Sequence, residues 1–341
     1  MALTGQVHDG VGRASRMMCD YDMSLLGYDA YPGTLNIETG HSIRDWVTRQ
    51  PGVSLTTERS VDHYVPVTIT AADTTIDGHA SHNRGSKSLE LVAPQRLRDH
   101  LDVTNGDTVT VELRREPIPK TIHQVWVGAP MPEHLAEYGR RWQKLHPDWE
   151  YRLWGEEDLQ WLDHQDLFDN WAEHAPRNRG QWQANIARLE ILYRHGGVYA
   201  DCDMDPARPI DGLMNEIDTG AFAVWQREKG HPKGQMLSNA FVGCHAGHST
   251  IRALLKGLRG NVDKNDGLRC THTTGVRYWS KQILRQRLTG HIDILRSQTA
   301  FPYLPDELGK VDPDDYVTPE GSYMAHHWHN QRSGGHIGRL R

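Results

Sequence analysis

The chain has 341 residues, a formal net charge of −6 at pH 7 and four cysteines. A charge balance this close to neutral gives no sign of nucleic acid or another polyanion as a partner. The apolar runs are far shorter than the roughly 20 residues that cross a bilayer, the N-terminus lacks a signal-peptide pattern and the cysteines lack metal spacing, so we expect no transmembrane segment and a cytoplasmic protein.

The first third of the chain differs in composition from the rest. Ten of the eleven tryptophans lie at or after Trp126, and the proline-rich, charged segment 114–120 has the composition of a linker. Short β-prone runs such as 64–70 and 108–113 are separated by glycine and asparagine turns. We therefore predict an α/β chain of two domains, with a small β-barrel over residues 1–116 and a second domain over residues 117–341.

Two motifs stand out in the barrel region. The first is a Gly-x-Gly pair at Gly10 and Gly12. The second is the run Pro-Gly-Thr-Leu-Asn, which carries Thr34 and Asn36. Tight hairpins also use glycine pairs, and the same run is acceptable turn chemistry, so a purely structural role stays open.

The segments that carry these motifs resemble the CTP-dependent riboflavin kinases. The resemblance extends over Gly5–Gly12, Leu26–Asn36, Leu89–Asp99 and Asn105–Val109. It implies a cradle-loop barrel in which Thr34 and Asn36 hold Mg²⁺ and the phosphates of CTP, while Gly10 and Gly12 let backbone amides approach the triphosphate. After the glycine loop this chain has Arg-Ala-Ser-Arg, where the family has acidic and aromatic residues. A barrel that only binds a nucleotide or recruits an acceptor therefore remains the alternative to an active kinase.

The most informative stretch lies between residues 183 and 206. Good helix formers run from Gln183 to His195, with apolar residues at three- and four-residue steps. Two glycines follow, where a left-handed cap can end a helix. Because residues three apart share a helix face, Asn185 and Arg188 are predicted to lie side by side.

A short strand with spaced carboxylates follows the glycines. The run 198–200 is β-prone, and the period of two along a strand would bring Asp201 and Asp203 to one side, with Asp205 as a third candidate. Such carboxylates repel each other, so a divalent cation is their natural partner, and hard oxygen ligands suit Mn²⁺ or Mg²⁺. A solvated acidic turn is the plain alternative. An EF-hand loop is excluded, because it needs glycine and glutamate where this chain has proline and glycine.

This stretch resembles the core of glycosyltransferase family 32, in the pattern Arg-x-x-x-Leu-Tyr-x-x-Gly-Gly-Val-Tyr-x-Asp-x-Asp. The resemblance covers roughly residues 117–333. Ile118–Gly128 and His146–Trp154 are similar to the family's first two strands, and Thr274-Gly275 and Ala325–Trp328 to its later motifs. It implies a GT-A, Rossmann-like nucleotide-sugar domain over residues 117–341.

The resemblance also implies roles for individual residues. Trp126 would stack on the nucleobase, and Tyr199 would line the same pocket. Arg188 would contact the donor sugar or its diphosphate. Asp201 would contact the donor ribose or the metal, and Asp203 would bind the metal directly. The plain alternatives are a tryptophan in the core and an arginine that pairs with a nearby glutamate on the surface.

Two departures from the family pattern affect the expected site. Asn185 stands where the family has an aspartate that holds sugar hydroxyls; an asparagine still makes hydrogen bonds but carries no charge. The C-terminal segment lacks the family's final Ser-Trp pair, so the third metal ligand is predicted to be His327, with Asn330 and Ser333 as the alternatives.

The resemblances imply a metal-dependent glycosyltransferase that moves a sugar from a UDP- or GDP-sugar to an unknown acceptor, with retention of the anomeric configuration. A divalent ion that bridges the phosphates would stabilise the charge of the leaving diphosphate. One alternative is a bifunctional enzyme whose barrel also transfers phosphate from CTP to riboflavin or a similar small alcohol. The other is a non-catalytic barrel that binds a nucleotide or the acceptor. The oligomeric state stays open.

Overall fold

The computed structural model describes residues 2–9, 23–26, 28–39, 43–48, 52–56, 61–82, 88–114, 116–285, 292–304 and 318–328. Contacts between residues divide the chain into two compact units. The first is Met1–Pro117 together with Gly247–Ser249, and the second is Ile118–Ala246 with Thr250–Arg341. Among the helices of the described residues, none has both the length and the apolar character that a membrane span requires.

A small antiparallel barrel forms the first unit. Its described strands are β1 (Ala2–His8), β2 (Leu35–Glu38), β3 (Val53–Thr56), β4 (Val61–Ala71), β5 (Thr74–His82), β6 (Ser88–Val92) and β7 (Thr108–Leu113). They pair in the order β3-β4-β5-β6-β2-β1-β7, and β4 also pairs with β7, so six strands close on themselves while β3 extends β4. Two short helices accompany the strands, Arg44–Thr48 and Leu97–His100, after a 3₁₀ turn at Met23–Leu26. The predicted barrel is confirmed.

Alternating apolar side chains fill the barrel. On β4, Val65, Val67 and Ile69 are fully buried, whereas the residues between them are partly exposed. They pack against Ile37 and Leu91 from β2 and β6. Because successive side chains of a strand point to opposite faces, one face of each strand supplies this core.

The second unit is built on a mostly parallel sheet. Its described strands are β8 (Thr121–Val125), β9 (Glu150–Trp154), β10 (Gly197–Ala200), β11 (Met204–Pro206), β12 (Ala221–Arg227), β13 (Met236–Cys244), β14 (Asp293–Leu295) and β15 (Met324–His326). Six of them form one sheet in the order β14-β12-β13-β10-β8-β9, and β11 pairs with β15 in a separate ladder. Within the six-stranded sheet only β13 is antiparallel to its neighbours.

Helices cover both faces of this sheet. The described α-helices are Glu133–Leu145, Gln165–Asp169, Trp171–His174, Arg179–His195, Asp211–Met214, Ser249–Lys264, Cys270–Thr273 and Val276–Arg285, with 3₁₀ turns at Glu157–Leu159 and Ser297–Thr299. On β10, Val198 and Ala200 belong to one core cluster and Tyr199 to the other. A sheet buried on both faces is typical of α/β folds, and the predicted α/β class is confirmed. Because the other strands are parallel, β8, β9, β10, β12 and β14 all end at the same edge.

The turn into β10 depends on two glycines. The preceding helix begins at Arg179 rather than at the predicted Gln183, because Trp182 is fully buried and its amide bonds back to Asn178. It ends at His195 as predicted. Gly196 and Gly197 then adopt φ values of 66° and 91°. This conformation turns the chain directly from the helix into the sheet.

We expect Gly197→Ala to destabilise the second unit by more than about 1 kcal/mol, because a positive φ and a close contact both oppose a side chain there. An added Cβ would lie 2.7 Å from the carbonyl oxygen of Thr121. Thermal unfolding followed by tryptophan fluorescence measures the change. The control is Gly260→Ala, which adds a Cβ with no heavy atom within 4 Å inside the helix Ser249–Lys264 and should not lower the melting temperature. Equal melting temperatures for the two variants would contradict the account.

Candidate active site

Asp201 and Asp203 lie at the carboxyl end of β10, where the chain turns. The Asp201 amide donates a 2.8 Å hydrogen bond to the carbonyl of Ala240 on β13, and the Met204 amide donates a 3.0 Å bond back to the Asp201 carbonyl. The predicted single strand with spaced aspartates is therefore a strand, a tight turn and a second strand, β11. The turn still keeps the first two carboxylates close together.

Asp201, Asp203 and His326 bring three possible metal ligands together. One ligand atom from each residue lies within 4.8 Å of the other two. His326 Nε2 lies 2.9 Å from Asp203 Oδ1. His326 lies beside Asp203 because β15 pairs antiparallel with β11 and places His326 opposite Met204. Two carboxylates and an imidazole form a donor set that suits Mn²⁺ and accepts Mg²⁺ less readily.

The structure differs from the prediction that His327 is the third ligand. The His327 ring stacks on Tyr138, with ring centroids 4.9 Å apart. Its Nε2 lies 3.6 Å from a carboxylate oxygen of Asp205. Successive side chains at the end of a strand point to opposite sides, so only one of the two adjacent histidines lies beside Asp201 and Asp203, and that one is His326.

Asp205 belongs to this second group rather than to the metal cluster. Arg141 Nη1 lies 2.8 Å from each of its carboxylate oxygens. The predicted third aspartate of the cluster therefore has another partner. The alternative ligands Asn330 and Ser333 lie outside the described residues.

Arg188 is buried and fixed on Asp201. Its Nη2 donates a 2.9 Å bond to Asp201 Oδ1, its Nη1 donates to the carbonyl oxygen of Asn239, and its Nε donates a 3.3 Å bond to the carbonyl of Ala184. The guanidinium carbon lies 4.4 Å from the ring centre of Tyr199. The Tyr199 hydroxyl donates to the same Asp201 oxygen at 3.1 Å. Arg188 is therefore a support for Asp201 and not part of a surface ion pair.

Asn185 is held in a buried amide network one helical turn before Arg188. Its Nδ2 donates a 3.1 Å bond to Thr274 Oγ1, and its Oδ1 accepts a 3.1 Å bond from Asn239 Nδ2. Gly275 makes room for it, since a Cβ there would lie 3.0 Å from Asn185 Nδ2. Asn239 has no signal in the local sequence, yet its side-chain amide binds Asn185 and its carbonyl accepts from Arg188.

Burial dominates the electrostatics of this site. It raises the pKa of Asp201, against the lowering effect of the Arg188 guanidinium, and the nearby Asp203 carboxylate raises that pKa further. A cation between the two carboxylates would favour their ionised forms. Cys202 faces away: its Sγ lies 3.4 Å from the Val125 carbonyl, and burial raises the pKa of the thiol, so it is no candidate ligand.

Trp126 directly follows β8, the strand beside β10 in the sheet. Its position past the end of that strand puts it at the same sheet edge as Asp201. The Trp126 amide donates a 3.0 Å bond to the Trp154 carbonyl, and its Nε1 donates a 2.7 Å bond to the Ala129 carbonyl. The indole is half-buried, so part of its surface can receive a ligand. Stacking on a nucleobase stays a prediction.

In the first unit, the two predicted phosphate and metal ligands lie together at the start of β2. Asn36 Nδ2 donates a 3.4 Å bond to Thr34 Oγ1. Asn36 is buried, and Thr34 is half-buried. Gly10 and Gly12 lie outside the described residues, so their predicted contact with a triphosphate stays a prediction.

Two family models match the chain. Residues 132–219 match the family described as "Glycosyltransferase sugar-binding region containing DXD motif". Residues 7–113 match the CTP-dependent riboflavin kinase model, described as "Domain of unknown function DUF120". The resemblance of each part of the chain to its family is thereby confirmed.

Two curated proteins and one solved structure are similar to parts of this chain. Inositol phosphoceramide mannosyltransferase 3 of Schizosaccharomyces pombe is 31% identical over 149 residues, which cover 41% of this chain and 37% of that protein. Riboflavin kinase of Haloquadratum walsbyi is 30% identical over 136 residues, which cover 33% of this chain and 56% of that protein. The solved structure "PaToxG Glycosyltransferase" is 16% identical and superimposes with a TM-score of 0.43 over 51% of this chain and 72% of its own. This chain thus spans about a third to a little over half of the two curated relatives.

We expect His326→Ala to weaken Mn²⁺ binding at least tenfold, because it removes a ligand from the cluster (about 1.4 kcal/mol or more). The matched change His327→Ala should leave Mn²⁺ affinity nearly unchanged, since that ring faces Tyr138 and Asp205. Electron paramagnetic resonance of free Mn²⁺ during a titration measures both affinities. A larger loss in the His327 variant would mean that the wrong histidine has been assigned.

Proposed function

We propose that the second unit is a metal-dependent glycosyltransferase that moves a sugar from a nucleoside diphosphate donor to an acceptor. The observation that carries the proposal is the meeting of Asp201, Asp203 and His326 at the carboxyl edge of the sheet, with Arg188 buried behind them. Open α/β sheets bind their ligands at this edge. The match to a DXD sugar-binding family supports the same class of protein.

The charges of the site explain why a metal is needed. Bare carboxylates would repel a diphosphate, whereas Mn²⁺ or Mg²⁺ held by Asp201, Asp203 and His326 would attract it. As the glycosidic bond breaks, the leaving diphosphate gains negative charge, which a bound divalent cation stabilises. Because the Arg188 guanidinium is already engaged by Asp201 and Asn239, we assign it the task of fixing the aspartate rather than gripping the diphosphate.

The donor in this proposal is a UDP- or GDP-sugar. Trp126 at the same edge supports a stacked nucleobase. The yeast relative is a mannosyltransferase by name, so mannose nucleotides are the first donors to test. We further propose that the anomeric configuration is retained. Proton NMR of the anomeric signal in the first product formed distinguishes retention from inversion.

The purified protein with Mn²⁺ should slowly hydrolyse at least one UDP- or GDP-sugar in the absence of acceptor. Asp203→Asn should lower that rate by about 100-fold or more, because the metal loses a charged ligand that supports the transition state. Asp205→Asn is the matched control: it removes an equal charge two residues away, where the carboxylate binds Arg141, and should keep most of the rate. Chromatography of the released nucleotide gives the rates. Undiminished hydrolysis by the Asp203 variant would remove the basis of the proposal.

A second activity is proposed for the barrel. Thr34 and Asn36 lie together at the start of β2, and residues 7–113 match the riboflavin kinase model. Both observations support a barrel that transfers phosphate from CTP to riboflavin or a similar alcohol with Mg²⁺. A barrel that binds a nucleotide or acceptor without chemistry is the competing proposal.

CTP-dependent phosphorylation of riboflavin should be abolished by Asn36→Ala, because that change removes a proposed ligand of Mg²⁺ and phosphate. The control is Asp73→Ala, which alters an exposed residue of the turn between β4 and β5. Flavin chromatography follows the product. Binding of CTP without product would support the non-catalytic alternative, and unchanged phosphorylation by the Asn36 variant would contradict the assigned ligand.

A further inference from the structure

A cavity of about 400 Å³ lies in the second unit, apart from the metal cluster. Its lining combines two arginines and a threonine with leucine side chains, and includes Arg208, Leu213, Leu295, Arg296 and Thr299. Glu216 supplies an acidic group in the lining. Nothing in the proposed donor site uses these residues.

Both arginines are available to an anion. Among the described residues, neither Arg208 nor Arg296 forms an ion pair with a carboxylate, in contrast to Arg141 or Arg188. The carboxylate of Asp293, the acidic residue of β14, already accepts bonds from two backbone amides and a threonine hydroxyl at 2.8 to 2.9 Å. The charged groups of the cavity lining are therefore two guanidiniums, those of Arg208 and Arg296, and one carboxylate, that of Glu216.

The surrounding chain fixes Arg208 in place. Its Nη2 donates a 2.9 Å bond to the Gly321 carbonyl, and its guanidinium carbon lies 3.9 Å from the ring centre of Tyr323. The Tyr323 carbonyl in turn accepts a 2.9 Å bond from the amide of Ala207, and the Tyr323 amide donates a 2.9 Å bond to the carbonyl of Thr299. An arginine held in this way loses little freedom when it binds, so it is well prepared to receive an anion.

The cavity lies at the carboxyl edge of the sheet, where the metal cluster also lies. Arg296 follows the carboxyl end of β14, as Asp201 follows the carboxyl end of β10, and the two strands run parallel. They are separated by three strand spacings, about 14 Å. The strand β15 connects the two sites, because Tyr323, which also lines the cavity, precedes this strand and His326 of the cluster ends it. Three extended residues span about 10 Å.

We propose that this cavity binds the phosphate group of a phosphate-bearing acceptor, whose hydroxyl then reaches the donor sugar beside the metal cluster. Two guanidiniums from different elements suit the several oxygens of a phosphate, to which arginine binds in bidentate fashion. Leu213 and Leu295 would contact the carbon part of the same molecule. The inference rests on the proposed function and adds the chemical class of the acceptor to it.

The first test measures binding without any transferase reaction. In the absence of metal and nucleotide, calorimetry with glycerol 1-phosphate should give saturable binding, and glycerol should give none. The double variant Arg208→Gln/Arg296→Gln should bind at least about tenfold more weakly, as expected for lost charge-assisted hydrogen bonds. Lys256→Gln, which removes an exposed charge from the helix Ser249–Lys264, should bind like the unaltered protein. Equal binding by the double variant, or equally tight binding of the carboxylate glycerate, would overturn the proposal.

The second test separates this inference from the proposed function. Donor hydrolysis without acceptor should be the same in the double variant and the unaltered protein, since neither arginine touches the metal cluster. With an array of polyols, transfer should favour the phosphorylated members, and the double variant should raise their KM at least about tenfold while leaving kcat nearly unchanged. Phosphate binding by the cavity in a protein without transferase activity would refute the proposed function alone. Active transfer with no preference for phosphate would refute the inference alone.

Discussion

The proposed function depends on the ion pair between Arg188 and Asp201. A carboxylate that is removed from water loses hydration, and burial accordingly raises the pKa of Asp201. The guanidinium opposes this by donating directly to the carboxylate, and Tyr199 donates to the same oxygen. Asp201 can then face its neighbours at the sheet edge as a fixed acceptor. The support fixes Asp201 within ligand distance of Asp203 and His326.

The surrounding fold holds this ion pair from three directions. The helix Arg179–His195 supplies the arginine, β10 supplies the aspartate, and β13 supplies the Asn239 carbonyl that accepts from the same guanidinium. Because Gly196 and Gly197 turn the chain sharply from the helix into β10, Arg188 and Asp201 come from one short stretch of chain. The amide network of Asn185 and Thr274 then ties the helix to a fourth segment. An uncharged residue at position 185 leaves Asp201 as the carboxylate that engages Arg188.

Local features of the sequence predicted much of this arrangement. The glycine pair, the β-prone run before Asp201 and the alternation within the barrel strands each follow from a few neighbouring residues, and the described residues agree with them. The choice between His326 and His327, and the pairing of Asp205 with Arg141, depend instead on how β15 meets β11 and how the helix Glu133–Leu145 lies against them. Such contacts join residues far apart in the chain, so no local pattern reports them. The role of Asn239 could not be predicted for the same reason, and part of that role belongs to its backbone carbonyl, which carries no sequence signal.

The central claim is that Asp201, Asp203 and His326 together hold a divalent cation that bridges a diphosphate. The most direct measurement is anomalous X-ray diffraction from crystals of the protein grown with Mn²⁺ and GDP or UDP. We expect one strong manganese peak bonded to the two aspartates and the histidine, with the nucleotide phosphates completing its coordination. A manganese peak elsewhere, or a bound nucleotide whose phosphates lie away from these three side chains, would contradict it.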